Sequence, residues 1–122
     1  MIAGPDTETQ EVFRWSELLD RLMGDTELAH AIVEGFIADI PGQISKLKGF
    51  VQSGDALAAT RQAHTIKGAS ANIGAAALRE AAYELEEMGN GKDMAGVAKG
   101  LPRLEAEFER LKEVLMDLNA QN

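Results

Sequence analysis

Residues 56–74 read ALAATRQAHTIKGASANIG and decide how the rest of the chain folds. Placed 100° apart around a helix, the small and apolar residues of this stretch gather on one side. The predicted core side consists of Ala59, Ala63, Ile66, Ser70 and Ile73. The stretch is therefore predicted to form one amphipathic helix, which Asp55 caps and Gly74 ends.

The opposite side of this helix carries one histidine among small or apolar residues. His64 points away from the core side, and the positions around it are Leu57, Thr60, Lys67, Gly68 and Ala71. A mid-helix glycine costs roughly 1 kcal/mol relative to alanine. A lone histidine is more often a satisfied core or surface residue, but neither placement explains the glycine. We therefore predict that another molecule approaches closely at this face.

The sequence on either side predicts further helices, since no segment of useful length alternates with period two. A short first helix follows Trp15, with Ser16 as its N-cap and Gly24 as its stop. The second begins after Asp25 and runs to Gly54. Its apolar positions at helical spacing are Leu28, Ile32, Phe36, Ile40, Ile44, Leu47 and Val51.

The remaining segments complete a bundle. A fourth helix is predicted at about residues 76–88, and Asp93 opens the last one. Pro41 predicts a kink or local break in the second helix, and Gly100 with Pro102 predicts a split near the start of the last. Short turns favour antiparallel neighbours. The predicted fold is all-α, an up-down antiparallel four-helix bundle with a short additional N-terminal helix over residues 13–120, preceded by a tail or linker at 1–12.

Composition and charge exclude several classes of function. The net charge is −8, and duplex binding needs a basic surface, so nucleic acid is not expected as a partner. The absence of cysteine and the presence of only two histidines make a poor metal-ligand set. No apolar stretch approaches the roughly 20 residues of a membrane span, so we expect no membrane contact.

One stretch departs from the acidic character of the chain. No Asp or Glu occurs from Ala56 to Arg79, whereas Arg61, Lys67 and Arg79 supply positive charge there. This pattern indicates that something anionic is handled in the region. The roles of Arg61 and Arg79 stay open.

The spacing H-x-x-K-G-x-S-x-x-x-G is met by His64, Lys67, Gly68, Ser70 and Gly74. Together with Ala63, the Gly24-Asp25 junction and Leu85-Glu86, it resembles the histidine-containing phosphotransfer (HPt) family over about residues 13–118. The resemblance implies a helical bundle whose exposed His64 accepts a phosphoryl group from a receiver-domain aspartate and passes it to another response regulator.

Glu86 is the predicted orienting partner of His64. If the third and fourth helices form a hairpin about Ala75, residues equidistant from it lie side by side, and His64 and Glu86 are each 11 residues away. Glu86 would accept a hydrogen bond from Nδ1 and leave Nε2 as the nucleophile. Similar chemotaxis-kinase domains place a glutamate in this role. The alternative is an exposed helix glutamate, since Glu84 and Glu87 are its close neighbours.

The other matched residues have simpler predicted roles. Lys67 supplies positive charge for phosphoryl oxygens, with an ordinary surface lysine as the alternative. Gly68 gives clearance, and Ala71, Thr60 and Leu57 complete the binding face. Ser70 is expected to support the site from the core side by bonding to backbone.

The expected setting follows from the resemblance. The chain would be the C-terminal HPt domain of a hybrid sensor histidine kinase. It would be monomeric and cytoplasmic, and the parent kinase could itself be anchored in the membrane. It would bind no cofactor, and the partner receiver would bring Mg²⁺. Without a nucleotide site it is a phosphoryl carrier that cannot phosphorylate itself. The alternatives are a chemotaxis-type domain phosphorylated by an ATP-binding kinase module, and a non-catalytic interaction bundle.

Overall fold

A computed structural model describes residues 12–121, and the side chains of residues 12–117. Within this range every regular element is a helix, as predicted. The elements are α1 (Trp15–Arg21), α2 (Thr26–Ser53), α3 (Ala56–Ile73), α4 (Ala76–Asn90) and α5 (Met94–Gln121). None of the helices in the described part is long and apolar enough to cross a membrane.

The four long helices form one bundle. Consecutive helices pack on each other through turns of two or three residues, and α5 returns to contact α2, while α1 packs against α2. The core is built from aliphatic side chains and three phenylalanines, namely Phe13 before α1, Phe36 of α2 and Phe108 of α5. This arrangement confirms the predicted bundle with a short extra helix at its amino-terminal end.

Aspartates begin three of the long helices. Asp25, Asp55 and Asp93 each accept a hydrogen bond from the backbone N–H three residues later, at 3.0, 3.1 and 2.9 Å. Gly54 and Gly74 end α2 and α3 with φ of +73° and +80°, a conformation that costs glycine little. The capping pattern of α2 and α3 was therefore predictable from residue type.

The start of the described chain differs from the prediction. Ser16 lies inside α1, and Arg14 occupies the cap position without a side-chain hydrogen bond. Val12 and Phe13 are buried, each 2% exposed, so the chain is fixed to the core before the helix begins. Val12 was predicted to belong to the tail, whereas the rest of that tail, residues 1–11, lies outside the described residues.

The local break predicted at Pro41 and the split predicted at Gly100 and Pro102 are wrong, whereas the kink given as the alternative at Pro41 stays a prediction. The second and last helices continue through Pro41 and Pro102. Both prolines lie on exposed positions, where the carbonyl that loses its partner can face water, and buried residues on either side hold the helix to the core. Gly100 serves packing instead, because a Cβ there would overlap Leu85 of α4.

Two helix details also differ. The apolar stripe of α2 is confirmed at Phe36, Ile40, Ile44 and Leu47. In the first turns of α2 the buried residues are Ala29 and Val33, whereas Leu28 is exposed and Ile32 is only partly buried. Val51, in the last turn, is also only partly buried. The fourth helix runs two residues past the predicted Met88, to Asn90.

Candidate functional site

Helix α3 holds His64 out from the bundle. All five predicted core residues of this helix are buried, so its rotation about its own axis is fixed. The side chain of His64 is 64% exposed. The exposed stripe of α3 runs from Leu57 through Arg61 and His64 to Gly68 and Ala71. The imidazole therefore stands in solvent, with the small residues Gly68 and Ala71 on one side of it and Leu57 and Arg61 on the other.

Glu86 lies beside His64, as the hairpin register predicts. Its Oε2 is 2.7 Å from His64 Nδ1, and its side chain is only 14% exposed. The turn between α3 and α4 consists of Gly74 and Ala75, so the two helices are close antiparallel neighbours. The contact joins an exposed ring to a largely covered carboxyl group.

Lys67 is turned toward α4 and pairs with the same carboxyl group. Its Nζ is 2.6 Å from Glu86 Oε1 and 5.4 Å from the centre of the Tyr83 ring, and its side chain is 21% exposed. Lys67 was predicted to present its charge to phosphoryl oxygens. In the structure its ammonium pairs with Glu86, and its predicted contact with phosphoryl oxygens stays a prediction.

The carboxyl group of Glu86 is held as an anion. Its partial burial raises the pKa, but the hydrogen bonds and positive charge of Lys67 and His64 outweigh this and place the pKa below the ordinary glutamate value. Oε1 is buried, and the Lys67 ammonium 2.6 Å away compensates its charge.

This arrangement fixes the tautomer of the imidazole. An ionised carboxylate can only accept hydrogen bonds, so Nδ1 must carry the proton that it donates to Glu86. The lone pair of the neutral ring then lies on Nε2, the outer nitrogen. The site therefore presents a neutral nitrogen nucleophile to solvent and an anion behind it that can stabilise a positively charged ring.

Gly68 and Gly89 show two different uses of a helical glycine. A Cβ at Gly68 would meet nothing within 4 Å, so nothing in the described fold requires a glycine at that position. A Cβ at Gly89 would overlap Thr60 Oγ1, so that glycine lets α4 approach α3. The internal structure explains Gly89, and Gly68 is left open toward an approaching molecule.

The remaining predicted site residues fall in different places. Leu57 is 61% exposed and Ala71 is exposed on the His64 stripe. Thr60 is half-buried against α4, where its hydroxyl donates to Ala56 O at 2.7 Å, so it is not part of the open face. Ser70 is fully buried and donates to Ile66 O at 2.7 Å, which is the supporting position expected for it.

Sequence reasoning missed Tyr83 and the shared use of Glu86. Tyr83 precedes Glu86 by three residues on α4, which places both on one side of that helix, and this spacing could have indicated it. The second histidine, His30, packs its ring 5.0 Å from that of Trp15. Within the part of the chain that the structure describes, no three His, Asp or Glu side chains gather to hold a metal ion.

Comparisons with known proteins agree with this geometry. The Hpt domain family model matches residues 31–114. The fold is similar to that of histidine-containing phosphotransfer protein B (HptB) from Pseudomonas aeruginosa PAO1, with a TM-score of 0.79 and 22% identity over 98% of this chain and 99% of that one. It is also similar to the HPT domain of a sensor hybrid histidine kinase from Shewanella, with a TM-score of 0.67 and 18% identity over 88% and 97%. No curated protein matches the chain in sequence.

Proposed function

This chain belongs to the Hpt domain family, and on that premise we propose that His64 is the residue that carries the phosphoryl group. Histidine phosphotransfer in two-component phosphorelays is the function of the domain. The observation that supports His64 is its position: an exposed imidazole whose inner nitrogen is bonded to a carboxylate, so that its outer nitrogen is free to react.

In the proposed transfer this chain contributes the His64 ring and its neighbours, and the receiver contributes the aspartyl phosphate. The Nε2 lone pair attacks phosphorus of the receiver's aspartyl phosphate, an N–P bond forms, and the P–O bond to the aspartate breaks, releasing the carboxylate. The ring becomes positively charged in this step, and Glu86 stabilises it through the Nδ1 proton. Transfer to the next receiver reverses the bond changes.

Lys67 acts in this proposal through Glu86. Its ammonium keeps the carboxyl group ionised and fixed at 2.6 Å, so it is a positioning residue rather than a ligand of the phosphoryl group. Gly68 supplies the clearance that a docking receiver needs, because the space above it is open. Ser70 and Thr60 lie on the covered sides of α3, and each donates its hydroxyl to a carbonyl one turn earlier in the same helix.

Partners and setting are also proposals. HPt domains interact with receiver domains, and we propose that a receiver donates to His64, that a second one accepts from it, and that Mg²⁺ bound by the receiver is required in both steps. We further propose a monomeric, cytoplasmic domain at the C-terminal end of a hybrid sensor kinase. The similarity to an HPT domain of such a kinase supports this setting. A chemotaxis-type donor is not favoured.

A transfer assay tests the assignment of His64. The chain is incubated with a panel of receivers carrying labelled phosphate, with Mg²⁺ or with a chelator. We expect label on the wild type only with Mg²⁺, stable in alkali and lost in acid as for a phosphoramidate. His64→Gln should carry no label, and the matched control His30→Gln should carry it normally. Label persisting on His64→Gln would refute the assignment, and receiver binding without label would identify a non-catalytic interaction domain.

A further inference from the structure

Three cationic side chains lie in the stretch from Ala56 to Arg79 that lacks acidic residues, and they differ in their ion pairs and exposure. Lys67 is paired with Glu86 at 2.6 Å and is largely covered. Arg79 lies on α4, 3.8 Å from Glu80. Arg61 is exposed, and its guanidinium has no ion pair or hydrogen bond within the described residues. Of these three cations, Arg61 therefore leaves its charge available on the His64 face, whereas Arg21 of α1 donates to Ala71 O at 3.3 Å at the far end of that face.

Arg61 and Lys67 lie on opposite sides of His64. Each is three residues from it, which places them about 60° to either side around the helix. Lys67 is on the side of α4. Arg61 is on the side of α2, where it lines a shallow groove with Phe50, Leu57, Thr65 and the capping residue Asp55. Leu57, one turn before Arg61, is 61% exposed. An apolar side chain and a free cation thus lie side by side, next to the reactive ring.

The charge of the whole chain makes this cation informative. The net charge is −8, so the molecule as a whole repels an acidic partner. A receiver that offers an aspartyl phosphate and its metal-binding carboxylates to His64 brings more negative charge to the same face. Complementary charges at the edge of an interface mainly raise the association rate and fix the docking orientation.

We propose that Arg61 is a docking residue, whose guanidinium pairs with a carboxylate on the receiver's surface while the receiver reaches His64. This proposal rests on the proposed function. Arg61 then contributes to the affinity for the receiver and to partner choice, and it does not act on the transferring phosphoryl group. Glu86 and Lys67 orient the ring from one side, and Arg61 orients the partner from the other.

The first experiment measures the transfer rate against receiver concentration for Arg61→Ala, Arg61→Lys and Arg61→Glu, with Arg79→Ala as the matched control. Loss of a peripheral charge pair should raise the half-saturating receiver concentration about fivefold. Charge reversal in Arg61→Glu should raise it by about tenfold or more. Arg61→Lys and Arg79→Ala should stay near wild type, all maximal rates should be unchanged, and added salt should narrow the differences.

A small phosphodonor separates docking from chemistry. With phosphoramidate, Nε2 of His64 forms the N–P bond as the donor's own P–N bond breaks and ammonia leaves, so no protein has to dock. Arg61→Ala should be labelled by phosphoramidate at the wild-type rate. An unchanged half-saturating concentration, or a loss of maximal rate together with slower phosphoramidate labelling, would overturn the docking role.

The two donors also distinguish the failure of this inference from that of the proposed function. If the wild type is labelled on His64 and the Arg61 variants match it with both donors, only the docking role is wrong. If neither donor labels the wild type on His64, the proposed function itself is wrong, and the docking role falls with it.

Discussion

Among the described side chains, two lysine–glutamate pairs connect different helices of the bundle, and they differ in burial far more than in distance. Lys67 and Glu86 join α3 to α4 at 2.6 Å, with side chains 21% and 14% exposed. Lys48 and Glu105 join α2 to α5 at 2.9 Å, with 46% and 43% exposed. The same two residue types therefore form a surface bridge on one side of the molecule and a covered pair behind His64 on the other.

The difference lies in what each carboxylate does next. Water competes with Lys48 for the carboxylate of Glu105, and exposed pairs of this kind contribute about 0–1 kcal/mol to the free energy of unfolding. Glu86 has one oxygen covered and opposite Lys67, and the other bonded to His64 Nδ1. Burial converts a weak surface contact into a fixed orientation for the reactive ring. The pair at Lys48 and Glu105 is a natural control for that claim.

The largest expected effect is on the transfer rate, and it is found by comparing the removal of Glu86 with the removal of Glu105. Glu86→Ala should slow transfer through His64, because Nδ1 loses its acceptor and the ring loses its orientation. The expected loss is on the order of 10- to 100-fold, as when the partner of a metal-bound histidine is removed. Transfer from a labelled receiver under single-turnover conditions measures it, with circular dichroism to verify the fold.

Glu105→Ala is the matched control in that experiment and should transfer at the wild-type rate. If Glu86→Ala and Glu105→Ala transfer equally fast, Glu86 has no part in the mechanism and the contrast between the pairs has no functional meaning.

A smaller effect is expected on stability when the lysines are removed. Lys67→Met leaves a covered carboxylate without its counter-charge, which should lower the free energy of unfolding by about 2 kcal/mol, less than for a fully buried pair. Lys48→Met should cost about 0–1 kcal/mol. Urea unfolding of both variants at neutral pH gives the two values. Equal costs would show that burial does not distinguish the pairs.

The same measurement at lower pH gives the smallest effect. In the folded chain the pKa of Glu86 is below its ordinary value. Burial raises this pKa, but the hydrogen bonds and charges of Lys67 and His64 lower it by more. Its contribution to stability is therefore present above the ordinary glutamate pKa of about 4.3 and disappears as the pH falls through the lowered value. The extra cost of Lys67→Met should fade over that range, and a cost independent of pH would point to lost packing instead.

The parts of the fold set by local rules were predictable from sequence. Helical periodicity placed the five buried residues of α3, and residue type identified Asp55 and Gly74 as its ends. Equal distance from Ala75 was enough to bring His64 and Glu86 together, because a tight turn leaves antiparallel helices little freedom of register. These features depend on neighbours in sequence or on one short turn.

The features that sequence patterns missed or assigned wrongly depend on contacts between distant parts of the chain. Pro41 weakens a helix locally, but burial of the residues around it keeps the helix continuous. Gly100 was predicted to help split the last helix, but in the structure the missing side chain leaves room for Leu85 of α4. The ammonium of Lys67 ends a flexible side chain, so only the packed structure shows that it turns to Glu86 and Tyr83. The position of a residue on a helix is predictable from sequence, whereas the contact that the end of its long side chain makes is not.

The central claim is that Glu86 holds Nδ1 of His64 and leaves Nε2 to react, and the site of phosphorylation on the ring tests it directly. Nuclear magnetic resonance of the phosphorylated chain distinguishes phosphorus on one ring nitrogen from phosphorus on the other. The geometry predicts phosphorus on Nε2 of His64, with the Nδ1 proton still bonded to Glu86. Phosphorus on Nδ1 would contradict it.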